Sequence, residues 1–283
     1  MNRLVLSFLF LSLTARAFIP PLPSILKEVF DARKSGIAAE IYLKHRIEVR
    51  PQEFVELEER VLRERNETLF IWRQVGQSAV TAARWEGQNY FFAKDRQAPI
   101  GSELPIGYLV TDSADWFRDQ MTAEQFIRRD QLYQFKPGFM PQGDPQTWNL
   151  KENYLRHEDI FLARLPAGIA IAVQGLSEPT ASHTVFFDQA LKGILRFEWK
   201  QGDQVAAWDF DQFSGKASDG FLPRRLRFER NGTVMVQSEL VGSRKLKDKQ
   251  LYEFKNTWKQ AMSRGYSPTN TVEGALKTLL NNR

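Results

Sequence analysis

The residues best suited to chemistry lie in the second half of the chain. Asp209 and Asp211 are two apart in the alternating stretch Trp208-Asp209-Phe210-Asp211, so their side chains share one face of a strand, with Glu198 on the strand-like segment before it. Paired carboxylates can do acid–base or glycosidic work. Trp208 and Phe210 claim the opposite, apolar face, which turns these acids outward beside Lys200 and Arg225. The three histidines, His45, His157 and His183, are far apart and lack metal-pair spacing; His157-Glu158-Asp159 reads as a solvated loop cluster. The absence of cysteine removes thiolate ligands, thiol nucleophiles and disulfides. The chain has no G-x-S-x-G elbow, dinucleotide-binding glycine loop or P-loop. Arg224, Arg225, Arg227 and Arg230 form a basic cluster, suited to anionic headgroups or an acidic partner, or else the wet face of a strand balanced by acids next door. The expectation is a protein that is not an enzyme and needs no cofactor or metal.

A different set of residues suggests binding. Aromatic and aliphatic side chains alternate so as to line one face of several strands. Leu195, Phe197 and Trp199 form one such row, Trp208 and Phe210 the next, and Leu226 and Phe228 a third. In the first half, Phe70 and Trp72 do the same, and Ile41, Leu43 and Ile47 fall in the apolar phase of a long alternating run. Wide apolar faces on a curved sheet can line a cavity for an acyl chain; the same faces can also be plain core beneath the helices.

The elements that would position these rows read as follows. After Pro20, Pro21 and Pro23, Ser24 caps a short helix ended by Gly36. Residues 39–50 alternate strictly over about twice the usual strand length, and strand-like runs follow at Phe54–Arg63, which also fits a helix, Thr68–Gln74, Ala79–Trp85 and Asn89–Ala93. Residues 94–158 break the pattern with Pro99, Gly101, Pro105 and Gly107, then two helical pieces near Ala114–Met121 and Ala123–Phe135, the second with a Thr122/Gln125 capping box, and a proline- and glycine-rich loop over 137–150. Strands resume at Ile160–Leu165, Ile169–Gln174, Thr184–Phe187, Ile194–Lys200 and Gln204–Phe213. Arg225–Arg230 and Thr233–Leu240 flank Asn231-Gly232, a strong hairpin signal. Leu251–Phe254 reads as a last strand, and Phe254–Met262 and Val272–Leu280 as closing helices.

The N-terminus carries an address. Arg3, the uncharged run Leu4–Leu13 and Thr14-Ala15-Arg16-Ala17 make a secretory signal peptide cleaved after Ala17, with an apolar run about half the ~20 residues of a membrane-spanning helix. Losing Arg3 and Arg16 lowers the formal charge of +5 by two, leaving no excess that calls for nucleic acid. Export without cysteine suggests a Gram-negative periplasm; in a eukaryotic secretory origin, the other reading, Asn66-Glu67-Thr68 and Asn231-Gly232-Thr233 would be glycosylation sequons.

The order of features in the second half resembles a known family. A strand ends in Val173-Gln174-Gly175, Val185-Phe186-Phe187-Asp188 and Gly193-Ile194-Leu195-Arg196-Phe197-Glu198 follow, and Phe221-Leu222-Pro223-Arg224-Arg225-Leu226-Arg227-Phe228 precedes Asn231-Gly232. This is similar to the periplasmic lipoprotein-carrier (LolA/LolB-like) superfamily, over roughly residues 160–256. The resemblance implies an N-terminal helix, an open antiparallel half-barrel, helices that act as a lid on its open side, and an apolar concave face that holds acyl chains. Segment 94–158 has no counterpart, and no individual lipid-contacting residue carries over.

The expected fold is therefore α+β: a large curved antiparallel sheet, a half-barrel, with helices on the concave side. Residues 1–17 would be the signal peptide and 18–283 one LolA-like domain with a helical and loop insertion around 94–158. The expected protein is a periplasmic monomer that does not span the membrane and binds a lipid or acylated lipoprotein through Ile41, Leu43, Ile47, Phe70, Trp72, Leu195, Phe197, Trp199, Trp208, Phe210, Leu226 and Phe228. The rival readings are an envelope structural or sensing module with a cell-envelope protein partner, and a hydrolase of an envelope polymer using Asp209, Asp211 or Glu198.

Overall fold

Alternation sets the architecture. The computed structural model describes residues 19–33, 40–64, 67–77, 80–86, 89–92, 96–98, 104–111, 113–133, 158–213, 221–264 and 270–281. The signal peptide expected over 1–17, the loop over 137–150 and His157 lie outside the described residues. Helix α1 (Leu22–Arg33) is followed by a meander of six strands: β1 (Glu40–Arg50), β2 (Glu53–Glu64), β3 (Glu67–Gln74), β4 (Val80–Glu86), β5 (Asn89–Phe92) and β6 (Arg96–Ala98). Helices α2 (Leu104–Val110) and α3 (Ala114–Ala123) and a 3-10 turn, Arg129–Leu132, come next. A second meander follows: β7 (Ile160–Leu165), β8 (Gly168–Glu178), β9 (Ala181–Asp188), β10 (Ile194–Gln201), β11 (Gln204–Phe213), β12 (Pro223–Arg230) and β13 (Thr233–Arg244). Two helices close the described chain, α4 (Asp248–Arg264) and α5 (Asn270–Asn281).

All thirteen strands form one antiparallel sheet in the order β6-β5-β4-β3-β2-β1-β13-β12-β11-β10-β9-β8-β7. The two meanders meet at its centre, where β1 pairs with β13, His45 opposite Ser238. The edge strands β6 and β7 do not pair with each other, so the barrel stays open. Register shifts at Tyr42/Leu43, Glu48/Arg50, Ile194/Arg196 and Phe228/Glu229 insert bulges that bend and twist the sheet. Asn231 and Gly232 both take the left-handed backbone (φ 50° and 76°) that a tight hairpin turn demands.

The concave face holds the main core, closed by α1, α2, α3 and α5. Helix α4 lies on the opposite face, where Phe254 and Ala261 pack on Leu62, Leu69, Ile71 and Ala82. Arg60 stacks over Phe254, 4.9 Å from its centroid, and Trp258 Nε1 donates to the Ala83 carbonyl at 2.9 Å. The strand expected at Leu251–Phe254 is part of this helix. Leu251, Phe254, Trp258 and Ala261 recur at helical spacing, and that stripe finds an apolar partner on the convex sheet.

Of the two readings that fitted Phe54–Arg63, the strand forms, with Val55, Leu57 and Val61 inward. One further expectation changes. The helix expected over Ala123–Phe135 does not form over its described residues, 124–133. Helix α3 stops at Ala123, Gln125 turns left-handed (φ 61°), and Phe126 swings under the sheet, fully buried. Thr122 Oγ1 donates to the Arg118 carbonyl at 2.8 Å instead of capping a new helix. Burial of Phe126 against aromatic neighbours outweighs the local preference to continue the helix.

Candidate functional site on the concave face

Strand alternation brings eleven of the twelve predicted residues onto one surface. Ile41, Leu43 and Ile47 of β1, Phe70 and Trp72 of β3, Phe197 and Trp199 of β10, Trp208 and Phe210 of β11, and Leu226 and Phe228 of β12 all belong to the concave cluster. Phe70 and Trp72 stack in parallel with ring centroids 5.4 Å apart. Leu195 is the correction. The bulge between Ile194 and Arg196 flips the phase of β10, so Ile194 faces inward and Leu195 packs on the other face near Ala170, Ala172 and Phe186.

Sequence reasoning missed the residues that fill this surface. Helix α2 is buried along its whole length. Its Tyr108 ring meets Phe210 edge-on at 5.6 Å, and its hydroxyl accepts a hydrogen bond from Ile194 N at 3.0 Å. Phe117 of α3 packs against Tyr108 and Phe197. Phe126 stands edge-on to Phe197 at 5.1 Å and Trp199 at 4.9 Å. The run of aromatics at 108, 116, 117 and 126 was the available signal. Among the described residues, then, the aromatic sheet face is covered by the chain's own α2–α3 segment.

The end of that segment is pinned to β8 and β9. Leu176 N donates to the Gln125 carbonyl at 2.7 Å, Gln131 Nε2 to the Gln174 carbonyl at 2.9 Å, and His183 Nδ1 to the Glu124 carbonyl at 2.8 Å. Arg128 reaches Asp159 at 2.8 Å and the Gly175 carbonyl at 3.3 Å. Gly175 makes this approach possible, because a Cβ there would lie 2.2 Å from the Gln125 carbonyl oxygen. On the side of α3 away from the sheet, a half-open groove of about 1050 Å³ runs between α1, α3 and the 129–132 turn. Leu26, Phe30, Leu132 and Tyr133 give it apolar walls, and Arg118 with Asp115 and Asp119 forms part of its charged rim. Its volume is that of a small-molecule site, about 300–1,000 Å³.

One polar cluster interrupts the apolar surface. His45 Nδ1 meets Ser238 Oγ at 2.7 Å, and its Nε2 meets Glu59 Oε2 at 2.8 Å. Glu59 is fully buried and His45 and Ser238 nearly so. Each ring nitrogen has a partner, which lets the polar chain persist inside the core.

The acids considered for catalysis do not converge on a cleft. Asp209 and Glu198 both bind Arg196, at 2.8 and 2.9 Å, on the outer face. Burial works against the Arg196 charge, but these two carboxylates outweigh it and raise its pKa. Asp211 faces Arg227 at 3.6 Å. Outward placement agrees with the alternation: Asp211 lies opposite Arg225 in register, as expected, while the ion pairs run to Arg227 and, for Asp209 and Glu198, to Arg196 rather than Lys200. Among the described residues no group of histidines and acids could hold a metal ion. No helix among them is long and apolar enough to cross a membrane.

No family model matches the chain, and no curated protein does. Among solved structures the chain is similar to a LolA superfamily protein from Nitrosomonas europaea, at 11% identity and a TM-score of 0.46, over 82% of this chain and 97% of that one. It is also similar to a DUF1329 family protein from Desulfovibrio piger (9% identity, TM-score 0.35, 80% and 93% covered). A third is an uncharacterized conserved protein from Thermus thermophilus (15%, 0.26, 88% and 95%). The open half-barrel itself follows from this chain's own strand order and register.

Proposed function

We propose that this protein is a non-enzymatic, exported binding protein that takes an acyl chain, lipid or acylated lipoprotein on the concave face of its half-barrel. The observation that carries the reading is the relation between that face and its cover. The sheet presents a broad aromatic surface, and what covers it around Phe197, Trp199 and Phe210 is a segment outside the sheet, placed between the two meanders in sequence and held by apolar packing and a few hydrogen bonds. The groove behind α3 would admit the ligand, and the α2–α3 segment would yield to it. Apolar burial at roughly 25 cal/mol per Å² would supply the driving force. In this reading residues 18–283 act as one domain, delivered to a periplasm after cleavage at Ala17.

A second reading has its own observation. Phe70, Trp72, Phe197, Phe210 and Phe228 are each at most 2% exposed, as in a finished core, and this favours an envelope module that recognises a protein partner by its outer surface. Native mass spectrometry of the protein purified gently from its periplasm separates the two. A co-purifying lipid or acylated peptide, on a chain beginning at Phe18, supports the carrier reading. A bare mass that stays bare after incubation with lipids rejects it in favour of the module.

A further inference from the structure

The outer face of the sheet carries a second groove, of about 620 Å³, centred on β1, β12 and β13. Alternation builds it. Where Leu43, Ile47, Leu226 and Val236 point inward, Lys44, Arg46, Arg225 and Arg227 point outward, and Arg224 adds a fifth cation at the start of β12. Two carboxylates, Glu56 and Glu239, share the wall, so the groove is strongly cationic on balance.

Elsewhere on this face arginines are already engaged: Arg196 with Asp209 and Glu198, Arg60 and Arg244 with Glu40, Arg73 with Glu58. In the groove the engagement is weaker. Lys44, Arg224 and Arg225 are exposed and have no ion pair among the described residues. The Arg46 guanidinium stacks over the exposed Phe54 ring, 4.1 Å from its centroid, instead of meeting a carboxylate. Arg227 stands 3.6 Å from Asp211, beyond hydrogen-bond length, and its Nε is buried with no acceptor among the described residues. Gln212, with a left-handed backbone (φ 54°), and the exposed Val75 also line it.

We propose that this groove docks an acidic peptide segment of a protein partner. Guanidinium forks suit carboxylates, and Phe54 and Val75 would take one apolar side chain of the segment. A peptide fits better than a membrane surface because the cations line a recessed groove of about 620 Å³, which an extended chain can enter and a flat bilayer cannot fill. This inference is independent of ligand binding on the concave face.

The test uses a fluorescein-labelled glutamate-rich peptide with one central leucine, and vesicles of phosphatidylglycerol and phosphatidylcholine. Binding to the purified chain is read by anisotropy at low and at physiological salt. The variant Lys44→Glu/Arg224→Glu/Arg225→Glu should lose at least ~10-fold in peptide affinity, while Lys245→Glu/Lys249→Glu/Lys259→Glu, with the same change in charge, should lose less than ~2-fold. Equal losses in both variants would reduce the effect to net charge and overturn the proposal. So would the absence of peptide binding by the wild-type chain, or groove-dependent binding of vesicles without binding of peptide.

Discussion

The substitution Gly175→Ala probes the cover without changing any aromatic side chain of the concave surface. An added Cβ would sit 2.2 Å from Gln125 O, 2.4 Å from Phe126 C and 2.5 Å from Ile127 N, all backbone atoms that no rotamer change can clear. Carbon contacts settle near ~3.5 Å, so the 125–127 turn must retreat by about 1 Å. That breaks the 2.7 Å bond from Leu176 N and draws those from Gln131 and His183, now 2.9 and 2.8 Å, beyond hydrogen-bond length. Three neutral hydrogen bonds at about 1 kcal/mol each come to roughly 3 kcal/mol. Loosened edge contacts of Phe126 with Phe197 and Trp199 add about 1 kcal/mol more. About 3–4 kcal/mol taken from the closed segment should speed its amide exchange by ~100- to 1,000-fold. Hydrogen exchange read by mass spectrometry should show this in 124–131, with β11–β13 unchanged, and uptake of a fluorescent fatty acid should rise. Unaltered exchange in 124–131, or acceleration spread evenly through the sheet, would refute the idea of a separable cover.

Other consequences follow from the buried and surface polar groups. His45→Leu takes from Glu59 the imidazole that it meets at 2.8 Å inside the core, and should cost about 3–5 kcal/mol in urea unfolding, whereas His45→Leu combined with Glu59→Leu should cost less than the sum of the two single changes. Glu58 is held below the usual carboxylate range by its hydrogen bond to Arg73, against the opposing effect of burial. A depressed folded-state pKa gives stability that is present at neutral pH and lost as pH falls through it, so Glu58→Gln should flatten the acid side of a stability profile and leave its neutral part parallel to wild type. Trp199 is partly buried at the edge of the core, so Trp199→Asp should fold, as judged by circular dichroism, yet fail to bind a fluorescent fatty acid; undiminished binding would remove β10 from the site.

Much of the sheet was legible because a period of two is a strong pattern when one face is buried. Residues 39–50, the aromatic rows of β10 to β12 and the Asn231-Gly232 turn all read directly. The cover did not. Helix α2 is buried on every side, so it shows no amphipathic stripe, and Pro105 and Gly107 disguise it as loop. Leu195 was misplaced because a bulge shifts phase without any mark in the pattern. The Ser238–His45–Glu59 chain left a faint trace: each residue is polar in the apolar phase of its strand, between Val236 and Leu240, Leu43 and Ile47, Leu57 and Val61. Joining the three required knowing that β1 pairs with β13, a contact between the two ends of the chain that local pattern does not encode.

The most direct test of the central claim is photo-crosslinking with a diazirine-bearing palmitate, its adducts mapped by peptide mass spectrometry. Ligand binding beneath the α2–α3 segment predicts adducts on the β10 and β11 peptides around Phe197, Trp199 and Phe210, stronger in Gly175→Ala. Adducts confined to α1 and the outer side of α3, or none on a folded protein, would contradict it.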